Sequence, residues 1–316
     1  MSVSFRPAVR ENVGLWINLI GGTGGGKTFT AMRLAKGISG DKPFAVIDTE
    51  NRRALHYADQ FNFHHAELRE PFTPESYADA VVAADTAGYP VIVVDSGSHV
   101  WAGDGGMLDM QEAEFQRMGS KDSAKMASWI KPKRQHKKMV SKLLQLRAHL
   151  IFCLRAEEKI EMVKEQGKMV VRAKQSMTGK DGWIPICDKN LPFEATCSFL
   201  LLASNPGIPH PIKLQEQHKD IFPLDKQINE ASGKRLAAWA AGGSTPQQGV
   251  VSPDPLPAAA SGPSVDEALL IKGREWADCG TNQYADWWTG LTAAQRKSIG
   301  AKRHEEWKAI AAKVPA

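Results

Sequence analysis

Short apolar runs alternate along this chain with longer stretches in which apolar residues recur at helical spacing. Leu15–Ile20, Phe44–Asp48, Val91–Asp95, Leu150–Leu154 and Cys197–Leu202 have the length and β-rich composition of strands. Lys27–Ile38, Pro74–Ala87 and Trp129–Leu146 have the periodicity of helices. The alternation predicts βαβ units and therefore an α/β fold with a mostly parallel sheet over residues 1–241. The pattern stops at residue 242. Residues 242–263 hold 5 Pro and 4 Gly without apolar periodicity, which predicts a flexible linker. Beyond it, Ser264–Glu267 and Thr292–Gln295 read as capping boxes, and Gly280 sits where a C-cap glycine belongs. Residues 264–316 are thus expected to form a small all-α domain. There is no internal repeat.

Composition narrows the class. Of 316 residues, 42% are hydrophobic and 24% charged, enough apolar material for a core without staples. Mean hydropathy is -0.33. The longest apolar runs fall far short of the roughly 20 residues of a membrane span, and the first residues lack the apolar stretch of a secretory signal. Four cysteines show neither a CxxC pair nor zinc spacing, so buried thiols in a reducing, cytoplasmic setting are expected. Net charge is +5, but it is unevenly placed. Residues 120–180 carry 16 Lys and Arg against 5 Asp and Glu, a local balance of +11 in an otherwise mildly acidic chain. A polyanion-binding region fits that pattern, and so does a solvated helix face.

The strongest motif is GGTGGGKT, comprising Gly21, Gly22, Thr23, Gly24, Gly25, Gly26, Lys27 and Thr28. It stands between an apolar strand and a helical run, the context a phosphate-binding loop requires. Glycines let the backbone wrap a phosphate with N–H groups turned inward. Lys27 would meet the β- and γ-phosphates, and Thr28 would offer its hydroxyl to Mg²⁺. ATP with Mg²⁺ is the expected ligand pair. The run PVIVVDSGS ends a strand in Asp95, the expected second Mg²⁺-holding group, with Ser96 beside it. PFAVIDTEN carries another strand into Asp48, Thr49 and Glu50. Glu50 there would orient an attacking water as general base, and the alternative is simple capping by Asp48 or Thr49.

In this order the features resemble the RecA-like P-loop ATPases, over roughly residues 10–241. The nearest likeness is to phage-encoded RecA-like single-strand annealing recombination proteins, suggested by the compact core, the W-x-x-K-x-K-R helix and the ending GKRLAAWAAG. The resemblance implies a long DNA-facing loop after VVDSGSHVW reaching Ser128, and a second over Glu157–Gly182. It implies single-stranded DNA as partner, met by Lys121, Lys125, Lys164, Lys168, Arg172 and Lys174. It makes Arg155 the γ-phosphate sensor, where the family usually has glutamine. It implies a homo-oligomer, ring or filament, in which Lys219, or secondarily Lys213, reaches a neighbour's γ-phosphate. Gln217 stands where the family often has the first lysine of that pair. No N-terminal oligomerisation domain is expected, since the loop begins at residue 21.

The helix from Trp129 to Arg147 carries Lys131, Lys133, Arg134, Lys137, Lys138, Lys142 and Arg147. Its apolar set Ile130, Met139, Val140, Leu143, Leu144 and Leu146 should pack on the sheet, and the resemblance makes this helix scaffold. The C-terminal residues hold 4 of the 9 Trp and suggest a module that recruits a partner, such as a single-strand DNA-binding protein or nuclease. DNA-stimulated ATP hydrolysis in strand annealing is the leading expectation. A helicase-like or loader motor, and a monomeric P-loop small-molecule kinase, are the competing readings.

Overall fold

The computed structural model describes residue 10 and residues 13–165, 168–176, 180–242 and 267–313. The chain divides into two compact units, one to Ser244 and one from Thr245.

The first unit opens with strand β1 (Trp16–Gly21), helix α1 (Lys27–Ser39), β2 (Phe44–Asp48), β3 (Phe63–Glu67), α2 (Pro74–Thr86) and β4 (Val91–Asp95). Helices α3 (His99–Ala102), α4 (Met107–Arg117) and α5 (Ile130–Leu143) follow. Then come β5 (His149–Glu158), β6 (Ile160–Glu165), β7 (Lys168–Ala173) and β8 (Trp183–Pro185). The unit ends with α6 (Leu191–Glu194), β9 (Cys197–Leu201), β10 (Pro209–Lys213) and α7 (Glu230–Ala240). The sheet runs β10-β9-β1-β5-β4-β2-β3, with β8 paired to the far end of β5. From β9 to β3 every neighbour is parallel, and β10 is antiparallel to β9. This is the mostly parallel α/β architecture expected from the alternation of strands and helices.

The sheet is buried on both sides, which is why its strands read as unbroken apolar runs. Alternate residues go to opposite layers. Val91, Val93, Ile151 and Cys153 face the layer of α1 and α7. Ile92, Val94, Leu150 and Phe152 face the layer of α2 and α5. The α1–α7 contact is close because it is made by backbone: a methyl group on Gly233 would lie 2.8 Å from the Cα of Gly37. Helix α2 starts on Thr73, whose hydroxyl accepts from the Ser76 N–H, with Pro74 in the first turn.

Three expectations are corrected. Ile130 and Leu144 do not pack on the sheet; they are 61% and 55% exposed, while Met139, Val140 and Leu143 form the buried face of α5. The stretch from residue 99 to Ser128 is no long loop, since α3, α4 and two short turns fill it. The Glu157–Gly182 segment is largely β6 and β7, an antiparallel hairpin separate from the main sheet. Its apolar residues stand in runs of only one to three between charged ones and are mostly exposed, so neither strict alternation nor a long apolar run marks these strands.

The second unit contains α8 (Glu267–Asp278), α9 (Thr281–Gly290), α10 (Ala293–Ile299) and α11 (Ala301–Ala311). They pack around Tyr284, Ile299, Trp307 and Ala311. Thr292 and Gln295 form the expected reciprocal capping box. Gly280, at φ 108, bends the chain between α8 and α9. Ser264 and all of the 242–263 segment except Gly242 lie outside the described residues. Cys153, Cys187 and Cys197 are buried free thiols and Cys279 is exposed. No helix among the described residues is long and apolar enough to cross a membrane.

A half-buried histidine is expected to make the fold acid-sensitive. His149 Nδ1 accepts the Leu15 backbone N–H at 3.3 Å, which requires a neutral ring. Burial pushes its pKa down to about 4. The unfolded chain takes up this proton near pH 6.5, and the folded one resists until about pH 4, so stability is lost as pH falls across that window. Between pH 7 and pH 5 the expected loss is on the order of 2 kcal/mol from this group. Urea midpoints at the two pH values check it. The drop should shrink in His149→Asn, and an equal drop in both proteins would remove His149 as the cause.

Candidate active site

The glycine-rich loop lies between the end of β1 and the start of α1. Gly24 and Gly26 sit at φ 80 and φ 81, backbone that side chains rarely tolerate. A methyl group on Gly25 would meet the Leu201 carbonyl at 2.5 Å. Gly26 caps α1 without any side chain, so the helix's first N–H groups have no side-chain acceptor. A glycine cradle with free donors at the start of a 13-residue helix fits a phosphate. Lys27 folds over the loop, its Nζ donating to the Gly22 carbonyl at 3.0 Å.

Register places the acids. Asp48 and Asp95 are paired neighbours at the ends of β2 and β4, beside the loop-bearing β1–β5 pair. Thr28 Oγ donates to Asp95 Oδ2 at 2.6 Å. Burial pushes Asp95 up to about 6, partly offset by that hydrogen bond. A divalent cation would restore its charge, and a hydroxyl with a carboxylate is the oxygen donor set that Mg²⁺ takes. Ser96 does not face the cleft: it is fully buried, and its Oγ accepts from the Ser98 N–H.

Asp48 and Glu50 divide the labour that sequence alone left open. Asp48 is buried and accepts from the backbone N–H groups of Glu50 and Ala54. It therefore shapes the turn. Glu50 projects from that turn into the cleft with its side chain 10% exposed. Arg155 donates from Nε and Nη2 to its Oε1 at 2.9 and 2.7 Å, and Arg53 donates to its Oε2 at 2.7 Å. Burial alone would raise the Glu50 pKa, but the two guanidiniums outweigh it and hold the carboxyl below its usual value. Thr49 ties this turn to the next strand by accepting from the Ser96 N–H at 2.8 Å.

A cleft of about 640 Å³ joins the loop, Glu50, Asp95 and Arg155. Sequence reasoning missed Arg53, Phe29 and Tyr57 on its walls. Arg53 carried a signal, lying three residues after Glu50 on a short turn. The Phe29 and Tyr57 rings stand 5.9 Å apart and make an aromatic wall suited to a planar base.

Other candidates lie outside this cleft. Lys219 pairs with Glu216 at 2.6 Å on the surface, and Lys213 Nζ donates to the Phe193 carbonyl. Lys121 and Lys125 are exposed near the turns before α5, and Lys164 and Lys174 are exposed on or beside the hairpin. Arg172 pairs with Glu161 at 3.0 Å. Lys168 lies on β7, but its side chain is outside the described residues. No group of three or more potential metal ligands of His, Cys, Asp and Glu occurs among the described residues.

Among solved structures, a KaiC-like protein from the hyperthermophilic archaeon Pyrococcus horikoshii is similar at 16% identity and a TM-score of 0.34. It matches over 61% of this chain and 72% of that one. Nothing about function follows from a likeness of that size. No curated protein matches the sequence. Residues 14–189, more than half of the chain and the whole of the cleft described above, match the AAA domain family, and the chain belongs to that family of P-loop ATPases.

Proposed function

We propose that this chain is an ATP- and Mg²⁺-dependent ATPase that binds single-stranded DNA and promotes strand annealing, in the manner of phage recombination proteins. The observation that carries this reading is the path of β5. The strand presents Arg155 to Glu50 beyond Leu154, keeps Ala156 buried, and passes through Glu158 into the β6–β7 hairpin, which carries Lys164, Lys168 and Arg172 along with Glu161 and Glu165. A polyanion pulling on that hairpin would move Arg155 relative to Glu50, so DNA and nucleotide act on one strand. In this reading the loop and Lys27 hold the triphosphate, while Thr28 and Asp95 hold Mg²⁺. Glu50 orients water. Lys121, Lys125, Lys164, Lys168, Arg172 and Lys174 meet phosphates, and Lys219 or Lys213 acts on a neighbouring protomer in a homo-oligomer. The helical unit recruits a partner protein.

The test is ATP hydrolysis with and without a single-stranded oligonucleotide, beside fluorescence anisotropy of the labelled strand. Expected are nucleotide-dependent binding, stimulated hydrolysis, and affinity falling steeply with salt. If the strand neither binds nor stimulates at low salt, the DNA reading fails. Stimulation by a small metabolite in its place would identify a kinase.

A further inference from the structure

Helix α5 contains no acidic residue, and its buried face needs only Met139, Val140, Leu143 and their neighbours. Its outward face carries Lys133, Arg134, Lys137 and Lys138, all exposed. Asp188 and Glu194 act on His136, on the buried side of this helix, and three other acids beside it are already engaged. Glu114 takes Lys131 and Arg117, Asp79 takes Lys142, and Asp85 takes Arg147. Among the described residues, none of the four outward cations has an ion-pair partner. They lie at i, i+1, i+4 and i+5, so like charges sit one helical turn apart, an arrangement that destabilises a bare helix. Scaffolding does not require it.

Two features beside these charges suit a particular polyanion. Trp129 stacks on Trp101 with centroids 5.7 Å apart and planes 19° apart, both rings half-exposed. Lys133 Nζ stands 5.9 Å from the Trp129 ring centroid. Beside them a groove of about 410 Å³ is lined by Met118, Ala127, Ile130 and Arg134, with Glu114 held between Arg117 and Lys131. Cations spaced along a ridge, with flat aromatic and apolar surface beside them, match a chain of phosphates bearing unpaired bases. An acidic peptide would use the charges and leave the tryptophans idle.

We propose that the outward face of α5, with Trp101 and Trp129, is a second track for single-stranded nucleic acid, separate from the β6–β7 hairpin. The inference rests on the reading of this chain as a single-strand binder. Its test compares wild type with Lys133→Gln/Arg134→Gln/Lys137→Gln/Lys138→Gln and with the hairpin pair Lys164→Gln/Lys174→Gln, by anisotropy across a salt series. The fourfold variant should bind at least tenfold more weakly. Its salt slope should flatten by about 3, since each phosphate left without a cation takes about 0.7 from it. Nucleotide binding should be unchanged, and the melting temperature equal or higher as repulsion is relieved. The charge-keeping Lys133→Arg/Lys137→Arg/Lys138→Arg should bind as wild type. An oligonucleotide bearing 5-iodouracil, irradiated on unmodified protein, should crosslink to Trp101 or Trp129, a readout that no folding defect can mimic. Unchanged affinity and slope in the fourfold variant, or crosslinks confined to the hairpin, overturn the second track and leave the proposed function standing. A wild type that binds polyglutamate but no oligonucleotide overturns both.

Discussion

Replacing Glu50 by Gln should slow ATP hydrolysis by about 10²–10⁴-fold while nucleotide and oligonucleotide binding persist, the loss expected of a positioned general base. The geometry explains both halves. The Glu50 side chain has its hydrogen bonds and ion pairs with Arg155 and Arg53, not with the glycine loop. The amide keeps the shape, but its single oxygen can accept from only one of the two guanidiniums, and it cannot take a proton. In the described state both carboxylate oxygens are engaged, so the group is ionised but not free to hold a water. Both arginine side chains are far more exposed, at 45% and 65%, so the clamp can open from its arginine side. Under the proposed function, a bound γ-phosphate would draw Arg155 away and so release Glu50. Single-turnover hydrolysis with excess enzyme measures the chemical step directly. If Glu50→Gln hydrolyses at the wild-type rate, Glu50 is not the base. The chain would then be read as a nucleotide-gated binder with its carboxylate fixed as structure.

Lys27→Ala should abolish the stabilisation that ATP and Mg²⁺ confer, with little effect on the protein alone. In the described state Lys27 makes one hydrogen bond, to the Gly22 carbonyl at the cleft surface. Losing it costs the unliganded fold about 1 kcal/mol or less. Toward a triphosphate the same ammonium supplies charge-assisted bonds of about 1.5–3 kcal/mol each, and two of them correspond to about 10²-fold or more in affinity. Ligand-induced stabilisation follows ligand concentration over Kd, so an upward shift in melting temperature seen with wild type should vanish at the same nucleotide concentration. Thermal melts with and without nucleotide measure it. An undiminished shift in the variant would mean that the loop backbone alone holds the phosphates and that Lys27 serves only the chemistry.

The first of these experiments bears on Glu50 and the second on the loop, and the two residues differed in how far sequence could place them. The loop was legible because its function is written in local backbone. Gly24 and Gly26 need left-handed conformations, and the Lys-Thr pair must start a helix, so eight consecutive residues suffice. Glu50 was legible as a candidate, but its role against Asp48 was not. Asp48 ends β2 and Glu50 follows it by two residues, and only the fold shows Asp48 turned inward to bond backbone N–H groups while Glu50 points into the cleft. Arg155 was placed in the site by order along the chain. Its actual partner, Glu50, is 105 residues away and is brought near by the register of β5 beside β4 and β2.

What the sequence determined by itself was the set of covered strands, the helices with one apolar face, the phosphate loop and the uneven charge. Each rests on local periodicity or local conformation, which a run of residues specifies without help. What only the tertiary structure decided was long-range: which strand stands beside which, and how the stretch after β4 folds into α3 and α4. It also decided which cations find acids. Lys131 and Lys142 are neutralised by α4 and α2, whereas Lys133, Arg134, Lys137 and Lys138 on the same helix are not. Ion pairing depends on distance through space, which falls off within a few ångströms, and a linear sequence carries no record of it.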